Sequence, residues 1–285
     1  MHVSHLWRYP VKSLAGEPLT RAELTHDGLA GDRLIHVRTP RGLLTGRTRH
    51  GLLTLPARTG LDGEPLVGGH PWRSAAAAEL IRQRAGEDAV LSTYDGPERF
   101  DVTNLLVAVD GELDAFARRH GAELDVRRLR PNLMLSGVDP AELDRWPGRA
   151  LAIGDALIGI HSRRPRCIVT SIDPETGAQD LDVFRRIRRD FANLMALNCW
   201  VITPGTVDVG DRATLVPTTA QPRDVGGWVV GRGDEAGAHP PIGGHHPGPT
   251  ASSSRRGDEA GAPRATRGRQ ESAAPATGWA GHGRA

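Results

Sequence analysis

The stretch RALAIGDALIGIHS, residues 149–162, decides the fold class that we expect for this chain. Its two apolar runs flank Gly154 and Asp155, a pair of residues that favours a tight turn between antiparallel strands. Similar short runs, separated by turn residues, occur at residues 3–9, 34–38 and 51–59. This spacing is typical of a β-rich protein, because strands in globular proteins are usually only about five or six residues long.

Three segments show helical spacing of their apolar residues. They lie at residues 74–86, 110–121 and 180–191. Ser74 and Asp110 are candidate N-caps for the first two segments, and Gly86 and Gly121 are the candidate stops. The strands expected within residues 193–217 are predicted to close a barrel or sandwich as a C-terminal hairpin. The predicted fold class is therefore mainly β with some helix (α+β).

The composition allows a sizeable hydrophobic core. The chain has 285 residues, of which 38% are hydrophobic. Its first residues lack the apolar centre of a secretory signal, and no run approaches the roughly 20 apolar residues of a membrane span. The two cysteines are too few for a disulfide framework or a Cys-rich metal site, and Cys199 lies in an apolar run typical of a core strand. We therefore expect a cytoplasmic protein with no membrane span.

The basic residues are unusual in kind rather than in number. The formal net charge is only +2, which does not favour nucleic acid as a partner. Of the 36 basic residues, Lys12 is the single lysine. An ammonium group contacts phosphate as a compact point charge, so Lys12 is a candidate phosphate ligand. Taken alone, it is equally well explained as a surface lysine that survived by chance.

The composition changes after residue 217. Residues 218–285 are rich in Gly, Pro, Ala, Ser, Arg and His and carry few bulky apolar side chains, which predicts a disordered tail. The motif RGDEAGA occurs in it twice, and His245 and His246 lie between the two copies. This segment is interpreted as a low-complexity extension, with a flexible interaction arm or a weak metal-binding tract as the alternative.

The strongest chemical signal is RRPRCIVTSIDPETG, residues 163–177. It places the thiol of Cys167 after an apolar strand and beside three arginines, Arg163, Arg164 and Arg166. Nearby cations favour the thiolate, which is the form that attacks or coordinates a metal, and the same arginines are suited to an anionic ligand. The alternative is a small buried hydrophobic residue at a strand end.

Five motifs in the same order resemble the MOSC family. More narrowly, they resemble its two-part members, among them amidoxime-reducing proteins, in which an N-terminal β-barrel module precedes the MOSC domain. The motifs are YPVKS (9–13), GDR (31–33), RLRPN (128–132), PRCIVTSIDPETG (165–177) and VGD (209–211). The resemblance implies an N-terminal β-barrel-like module at residues 1–100 and a MOSC β-barrel domain at residues 101–217, followed by the tail.

The resemblance also implies a molybdenum cofactor, a pyranopterin that carries a phosphate, rather than pyridoxal phosphate. By its place in the motif, Cys167 is the metal ligand and the catalytic residue. The cofactor-binding residues carried over from the matching motifs are Lys12, Ser13, Arg33, Arg130, Asn132 and Arg166. Independently, a soft metal accepts a thiolate, and a phosphate requires charge-assisted donors.

The activity implied by this resemblance is reduction of small N-hydroxylated compounds such as amidoximes and hydroxylamines. Residues 218–285 contain no cysteine, so we expect a separate electron-transfer protein, either a ferredoxin, a flavoprotein or a cytochrome b5-like protein. The second hypothesis is a molybdenum-cofactor carrier or sulfur-transfer protein. The third is an arginine-rich protein that binds RNA or another polyanion, with an incidental cysteine.

One segment departs from the family pattern. The family commonly carries a pair of Ser or Thr residues near the cofactor, but residues 107–116 read VAVDGELDAF, so we assign no site there. Within the cysteine motif, Thr170 and Asp173 are expected to be structural. Asp173 is predicted to stabilise the turn that Gly177 completes.

Overall fold

The computed structural model describes residues 1–93 and 99–222, so the predicted RGDEAGA repeats and the tract at His245 and His246 lie outside the described residues. The helices are α1 Ala75–Ala85, α2 Asp110–His120 and α3 Leu181–Asp190. The strands are β1 His2–Arg8, β2 Glu17–Leu19, β3 Arg21–Thr25, β4 Gly28–Leu29, β5 Ile35–Thr39, β6 Gly42–Leu44, β7 Ala57–Thr59, β8 Pro65–Val67, β9 His70–Pro71, β10 Val90–Thr93, β11 Leu105–Val109, β12 Leu133–Ser136, β13 Arg149–Ile153, β14 Ala156–Pro165, β15 Leu194–Thr203, β16 Gly205–Asp208 and β17 Ala213–Pro217.

The fold is mainly β with some helix, as the sequence predicts. Eight strands form one curled sheet in the order β17, β13, β14, β15, β11, β12, β1, β2, and only the β11 and β12 neighbours are parallel. The predicted turn at Gly154, whose φ is 52°, connects β13 to β14. The sequence that decides the fold class therefore forms the centre of the antiparallel part of this sheet.

Strands from the first part of the chain pair with strands from its later part. β1 pairs with β12, and β3 pairs with β16. Two further small sheets, β10–β5–β6 and β7–β8–β9, belong to the N-terminal third of the chain. The first two strands, β1 and β2, are hydrogen-bonded into the large sheet, which the later strands build. The predicted module boundaries after residues 100 and 217 stay predictions.

The helix boundaries follow the predicted caps, with one correction. The Ser74 hydroxyl accepts a hydrogen bond from the Ala77 N–H at 3.1 Å, and Gly86 and Gly121 follow α1 and α2. Asp110 is the first residue of α2 rather than its N-cap, and its carboxylate accepts hydrogen bonds from the N–H groups of Gly111 and of the loop after β12.

Two strand predictions also need correction. The predicted C-terminal hairpin is wrong, because β16 pairs with β3 and β17 pairs with β13. The predicted strand at residues 51–59 is wrong over most of its length, since a 3₁₀ turn covers His50–Leu52 and only Ala57–Thr59 is extended. Pairing with strands distant in sequence decided the first case, and such pairing leaves little local signal.

Three groups of buried apolar side chains hold these elements together. One lies along the large sheet and includes Cys199, which is fully buried as predicted. A second lies within the N-terminal third, around Leu52 and Ile81. The third packs α2 and α3 on the sheet through Phe116 and Ile187. The first of these groups includes Ile158 and Ile160 of β14, the strand from which the chain enters the cysteine motif. Within residues 1–93 and 99–222, no helix combines the length and apolarity that crossing a membrane requires.

Candidate functional site

Cys167 lies two residues beyond the end of β14, where the strand gives way to a 3₁₀ turn, Ile168–Ser171. The carbonyl oxygen of Cys167 accepts hydrogen bonds from the Thr170 N–H at 3.1 Å and from the Thr170 hydroxyl at 2.9 Å. Thr170 is therefore structural, as predicted. Because these bonds use only the backbone of Cys167, its partly exposed thiol keeps its coordinating capacity.

The turn that follows is built as the sequence predicts. Asp173 Oδ1 accepts hydrogen bonds from the N–H groups of Glu175 (3.0 Å) and Thr176 (2.9 Å), and these bonds lower the pKa of Asp173. Gly177 completes the turn with a φ of 72°, a conformation that a side chain would strain. Arg128 also binds the Asp173 carboxylate at 2.9 Å, which fixes the turn to the RLRPN segment.

Only two of the three neighbouring arginines adjoin the thiol. Arg163 pairs instead with Glu112, which is buried, and with Asp144 at 2.5 Å. Burial lowers the pKa of both Arg164 and Arg166, and the charge of the nearby Cys167 sulfur opposes that shift. The two guanidinium groups are therefore close enough to Cys167 to interact with a thiolate.

A carboxylate that the sequence analysis missed gathers three cations beside Cys167. Asp101 accepts from Lys12 Nζ at 3.1 Å, from Arg47 Nη2 at 3.0 Å and from Arg164 Nη2 at 3.3 Å. Burial acts to raise the pKa of Asp101, but the charges of Lys12, Arg164 and Arg47 outweigh it and hold this pKa well below its usual range. We call Lys12, Arg47, Asp101 and Arg164 the Asp101 cluster.

A second group of charges surrounds an aromatic ring. The guanidinium groups of Arg33 and Arg130 lie 4.9 and 4.3 Å from the centre of the Tyr9 ring, and Asp32 pairs with Arg33. Burial raises the pKa of Tyr9 to about 12 and lowers that of Arg130 to about 10. We call Tyr9, Asp32, Arg33 and Arg130 the Tyr9 cluster. It is the more deeply buried part of the site.

Three predicted cofactor residues adopt a backbone conformation that non-glycine residues rarely use. Ser13, Arg33 and Arg130 have φ angles of 70°, 53° and 57°. Each such residue costs roughly 1 kcal/mol, and residues of this kind concentrate at functional sites where surrounding bonds hold them. Here the Arg33 N–H donates to the Tyr9 carbonyl at 2.7 Å, and Arg130 Nη2 donates to the Leu14 carbonyl at 2.8 Å.

Arg166 has donors suited to a ligand. Only 9% of the residue is exposed, and Nη2 donates to the Leu129 carbonyl at 2.7 Å. Its Nε and Nη1 atoms are buried and find no hydrogen-bond partner among the described residues, and the same is true of the Tyr9 hydroxyl. Buried donors without partners are rare and costly, so this site fits an anionic group rich in acceptors.

Asn132 is placed differently from the other predicted residues. It is 1% exposed, its Oδ1 accepts from the Leu106 N–H at 3.2 Å, and its Nδ2 donates to the Trp7 carbonyl at 3.4 Å. These bonds tie β1 to β11 on either side of β12. That the amide also contacts a cofactor stays a prediction.

The segment at residues 107–116, for which no site was assigned, forms the end of β11 and the first part of α2. Its apolar side chains, including Val107, Val109 and Phe116, are buried in the cores. The site carboxylate, Asp101, lies shortly before this segment. Within the described ranges, no three His, Cys, Asp or Glu side chains form a metal-binding group, so Cys167 stands as a single candidate ligand.

Two family models match the chain. The MOSC domain matches residues 101–214, and the MOSC N-terminal beta barrel domain matches residues 1–68.

Mitochondrial amidoxime reducing component 2 of Macaca fascicularis is 28% identical over 235 residues, which cover 62% of this chain and 68% of that protein. Mitochondrial amidoxime-reducing component 1 of Homo sapiens is 24% identical over 280 residues, covering 75% and 82%. The solved structure of the YuaD protein from Bacillus subtilis aligns at 13% identity with a TM-score of 0.44, over 76% of this chain and 96% of that one.

Proposed function

This chain belongs to the MOSC-domain family, and on that basis we propose that it is a molybdenum-cofactor-dependent oxidoreductase that reduces N-hydroxylated compounds such as amidoximes and hydroxylamines. The names of its amidoxime-reducing relatives support the reaction class. The structural observation that supports it most is that the buried Nε and Nη1 donors of Arg166, near the thiol of Cys167, have no hydrogen-bond partner within residues 1–93 and 99–222. A candidate metal ligand and a candidate anion-binding group therefore lie next to each other.

In this proposal the residues divide the cofactor between them. The thiolate of Cys167 ligates the molybdenum, because a soft metal accepts a sulfur ligand. Arg166 and the two arginines of the Tyr9 cluster bind the phosphate and the polar edges of the pterin, because guanidinium groups form charge-assisted, bidentate contacts with phosphate. Ser13 and Lys12 lie beside them, in the segment that leads from β1.

When bound, the cofactor would supply two-electron redox chemistry, by which R–NH–OH, two electrons and two protons give R–NH2 and water. The residues of this chain orient the reactants and control charge. Asp101 remains ionised at neutral pH because its pKa lies well below the usual range, so it holds the cations in place and does not donate the protons. Because the Asp101 side chain is 37% exposed, we propose that water supplies the protons.

The two electrons require a partner. The chain has only two cysteines, and Cys199 is buried in a core strand, where burial raises its pKa strongly. We therefore propose that a separate ferredoxin, flavoprotein or cytochrome b5-like protein reduces the site. We also propose that the reaction takes place in the cytoplasm, because two free cysteines fit a reducing compartment.

The test compares the two cysteines. Wild type, Cys167→Ala and Cys199→Ala are purified from a host that makes molybdenum cofactor, and molybdenum is measured per chain. Benzamidoxime reduction is then assayed with reduced methyl viologen as the electron donor. We expect molybdenum near one per chain and activity in wild type and Cys199→Ala, and loss of both in Cys167→Ala.

The other outcomes separate the remaining hypotheses. Molybdenum that survives Cys167→Ala at full occupancy would reject the ligand assignment. Molybdenum in wild type without any reduction would favour a cofactor carrier or sulfur-transfer protein. No molybdenum in any variant, together with salt-dependent RNA binding, would favour a polyanion-binding protein.

A further inference from the structure

Arg47 stands apart from the other cations near Cys167. It follows β6 in a turn held by the Thr45 carbonyl, which accepts hydrogen bonds from the N–H groups of Thr48 (3.1 Å) and Arg49 (3.0 Å). Arg49 Nε in turn donates to the Ala85 carbonyl at the end of α1, at 3.0 Å. The guanidinium of Arg47 is therefore presented by a fixed turn of the N-terminal third of the chain.

Arg47 is also the most exposed cation that contacts Asp101. Its side chain is 43% exposed, compared with 9% for Lys12 and 15% for Arg164. Asp101 raises the pKa of Arg47, burial opposes this shift, and the adjacent Cys167 sulfur adds to the increase. Arg47 therefore stays charged and borders both the thiol and solvent.

The charges around Cys167 do not balance. Asp101 is one carboxylate among three cations, Lys12, Arg47 and Arg164. Arg166 is a fourth cation near the sulfur, so a thiolate at Cys167 would still leave about two positive charges. An arginine has five N–H donors, and Arg47 directs one at Asp101 at 3.0 Å and another at the Cys167 sulfur. Its remaining donors match the geometry of a carboxylate.

We propose that Arg47 is a substrate-positioning residue that selects N-hydroxylated compounds carrying a carboxylate over neutral or cationic ones. This inference rests on the proposed function, because it assigns the substrate class of the same site. The carboxylate of the substrate binds the exposed edge of the Arg47 guanidinium and directs the N–O group towards Cys167. A cationic substrate is disfavoured because it meets like charge at the opening of the site.

Binding tests the inference without relying on turnover. Benzoate and benzamide share a ring and differ in charge, so their affinities for the full chain are measured by calorimetry, on molybdenum-loaded and on metal-free protein. The variants are Arg47→Gln, Arg47→Lys and a control, Arg41→Gln, which alters an exposed arginine in the turn between β5 and β6.

We expect wild type to bind benzoate about tenfold more tightly than benzamide. Arg47→Gln should lose this preference, Arg47→Lys should keep part of it, and Arg41→Gln should stay within twofold of wild type. An equal preference in wild type and in both Arg47 variants, on folded protein, would overturn the inference.

Turnover separates this inference from the proposed function. The ratio of kcat/KM for 4-carboxybenzamidoxime over benzamidoxime should fall about tenfold in Arg47→Gln, chiefly through KM, and stay within twofold in Arg41→Gln. If both compounds are reduced and Arg47→Gln leaves the ratio unchanged, the role of Arg47 is rejected and the function stands. If neither is reduced but the benzoate preference depends on Arg47, the function is rejected and the anion selectivity of Arg47 stands.

Discussion

The Tyr9 cluster and the Asp101 cluster are both rich in arginine, yet their charges are stabilised in different ways. In the Tyr9 cluster, burial raises the pKa of Tyr9 and lowers that of Arg130, so the protein opposes the charges it has brought together. In the Asp101 cluster, burial likewise lowers the pKa of Lys12 and Arg164, but a carboxylate contacts every cation and stays ionised. Within residues 1–93 and 99–222, Arg130 forms no ion pair with a carboxylate, so the Tyr9 cluster has a buried cation that an anionic ligand would stabilise, whereas each cation of the Asp101 cluster already contacts Asp101.

Replacing a buried arginine of the Tyr9 cluster gives the largest expected effect. Arg130→Met removes a guanidinium that burial and the neighbouring Arg33 both disfavour. We expect molybdenum retention to fall at least tenfold. The free energy of unfolding of the metal-free protein should stay within about 1 kcal/mol of wild type or rise, since replacing a poorly compensated buried charge with an apolar side chain is often neutral or stabilising.

The control for this change is Arg127→Met, in the same segment, where the side chain is 43% exposed and pairs with Asp125 and Glu175. Molybdenum content and urea unfolding are measured for both variants. Equal loss of molybdenum in the two would mean that general positive charge, rather than the Tyr9 cluster, holds the cofactor. A large loss of metal-free stability in Arg130→Met would remove the difference between the two clusters.

Two residues of each cluster are identified from the sequence, Arg33 and Arg130 in the Tyr9 cluster and Lys12 and Arg164 in the Asp101 cluster. Arg33 and Arg130 lie in the short motifs GDR and RLRPN, which the resemblance identified. Asp101 and Arg47 had no such signal, because one is a lone aspartate before an apolar strand and the other is one of 35 arginines. Only folding brings them together, since their 3.0 Å contact joins residues 54 positions apart.

The strands show the same limit. Local turn chemistry at Gly154 predicted β13 and β14 correctly, and helical spacing predicted α3. The partners of β16 and β17 could not be predicted, because apolar alternation defines which face of a strand is buried and not which strand lies beside it. Asp110 was likewise assigned to a local cap, whereas its carboxylate binds a loop 27 residues away.

Asp101→Asn should lower the free energy of unfolding, whereas Arg130→Met should leave it nearly unchanged or raise it. Its overall effect should be smaller than the loss of molybdenum expected for Arg130→Met. Removing the carboxylate leaves three cations without their shared partner, and because the side chain is 37% exposed we expect destabilisation of only about 1 kcal/mol. The pKa of Asp101 is lower in the folded than in the unfolded protein, so its stabilising effect is complete above the unfolded value of 3.8 and declines as the pH falls below it.

Urea unfolding at pH 7, 5 and 3 checks this expectation. The difference between wild type and Asp101→Asn should be the same at pH 7 and pH 5 and smaller at pH 3. Asp114→Asn, an exposed aspartate on α2, serves as the control and should change stability by less than about 0.5 kcal/mol. A difference that grows as the pH falls would mean that Asp101 is not held ionised by its neighbours.

The smallest expected effect concerns the backbone between the two clusters. Ser13 has a φ of 70°, and Ser13→Gly should raise the free energy of unfolding by about 0.5 kcal/mol, because glycine adopts this conformation without strain but has more freedom to lose on folding. Ala192→Gly, at a φ of 50° outside both clusters, should give a similar gain and leave molybdenum content unchanged. If the Ser13 hydroxyl binds the cofactor, Ser13→Gly gains stability but loses molybdenum, and the two variants differ only in metal content. If both retain full molybdenum, Ser13 contributes its conformation and not its hydroxyl, and cofactor contacts in this segment fall to Lys12.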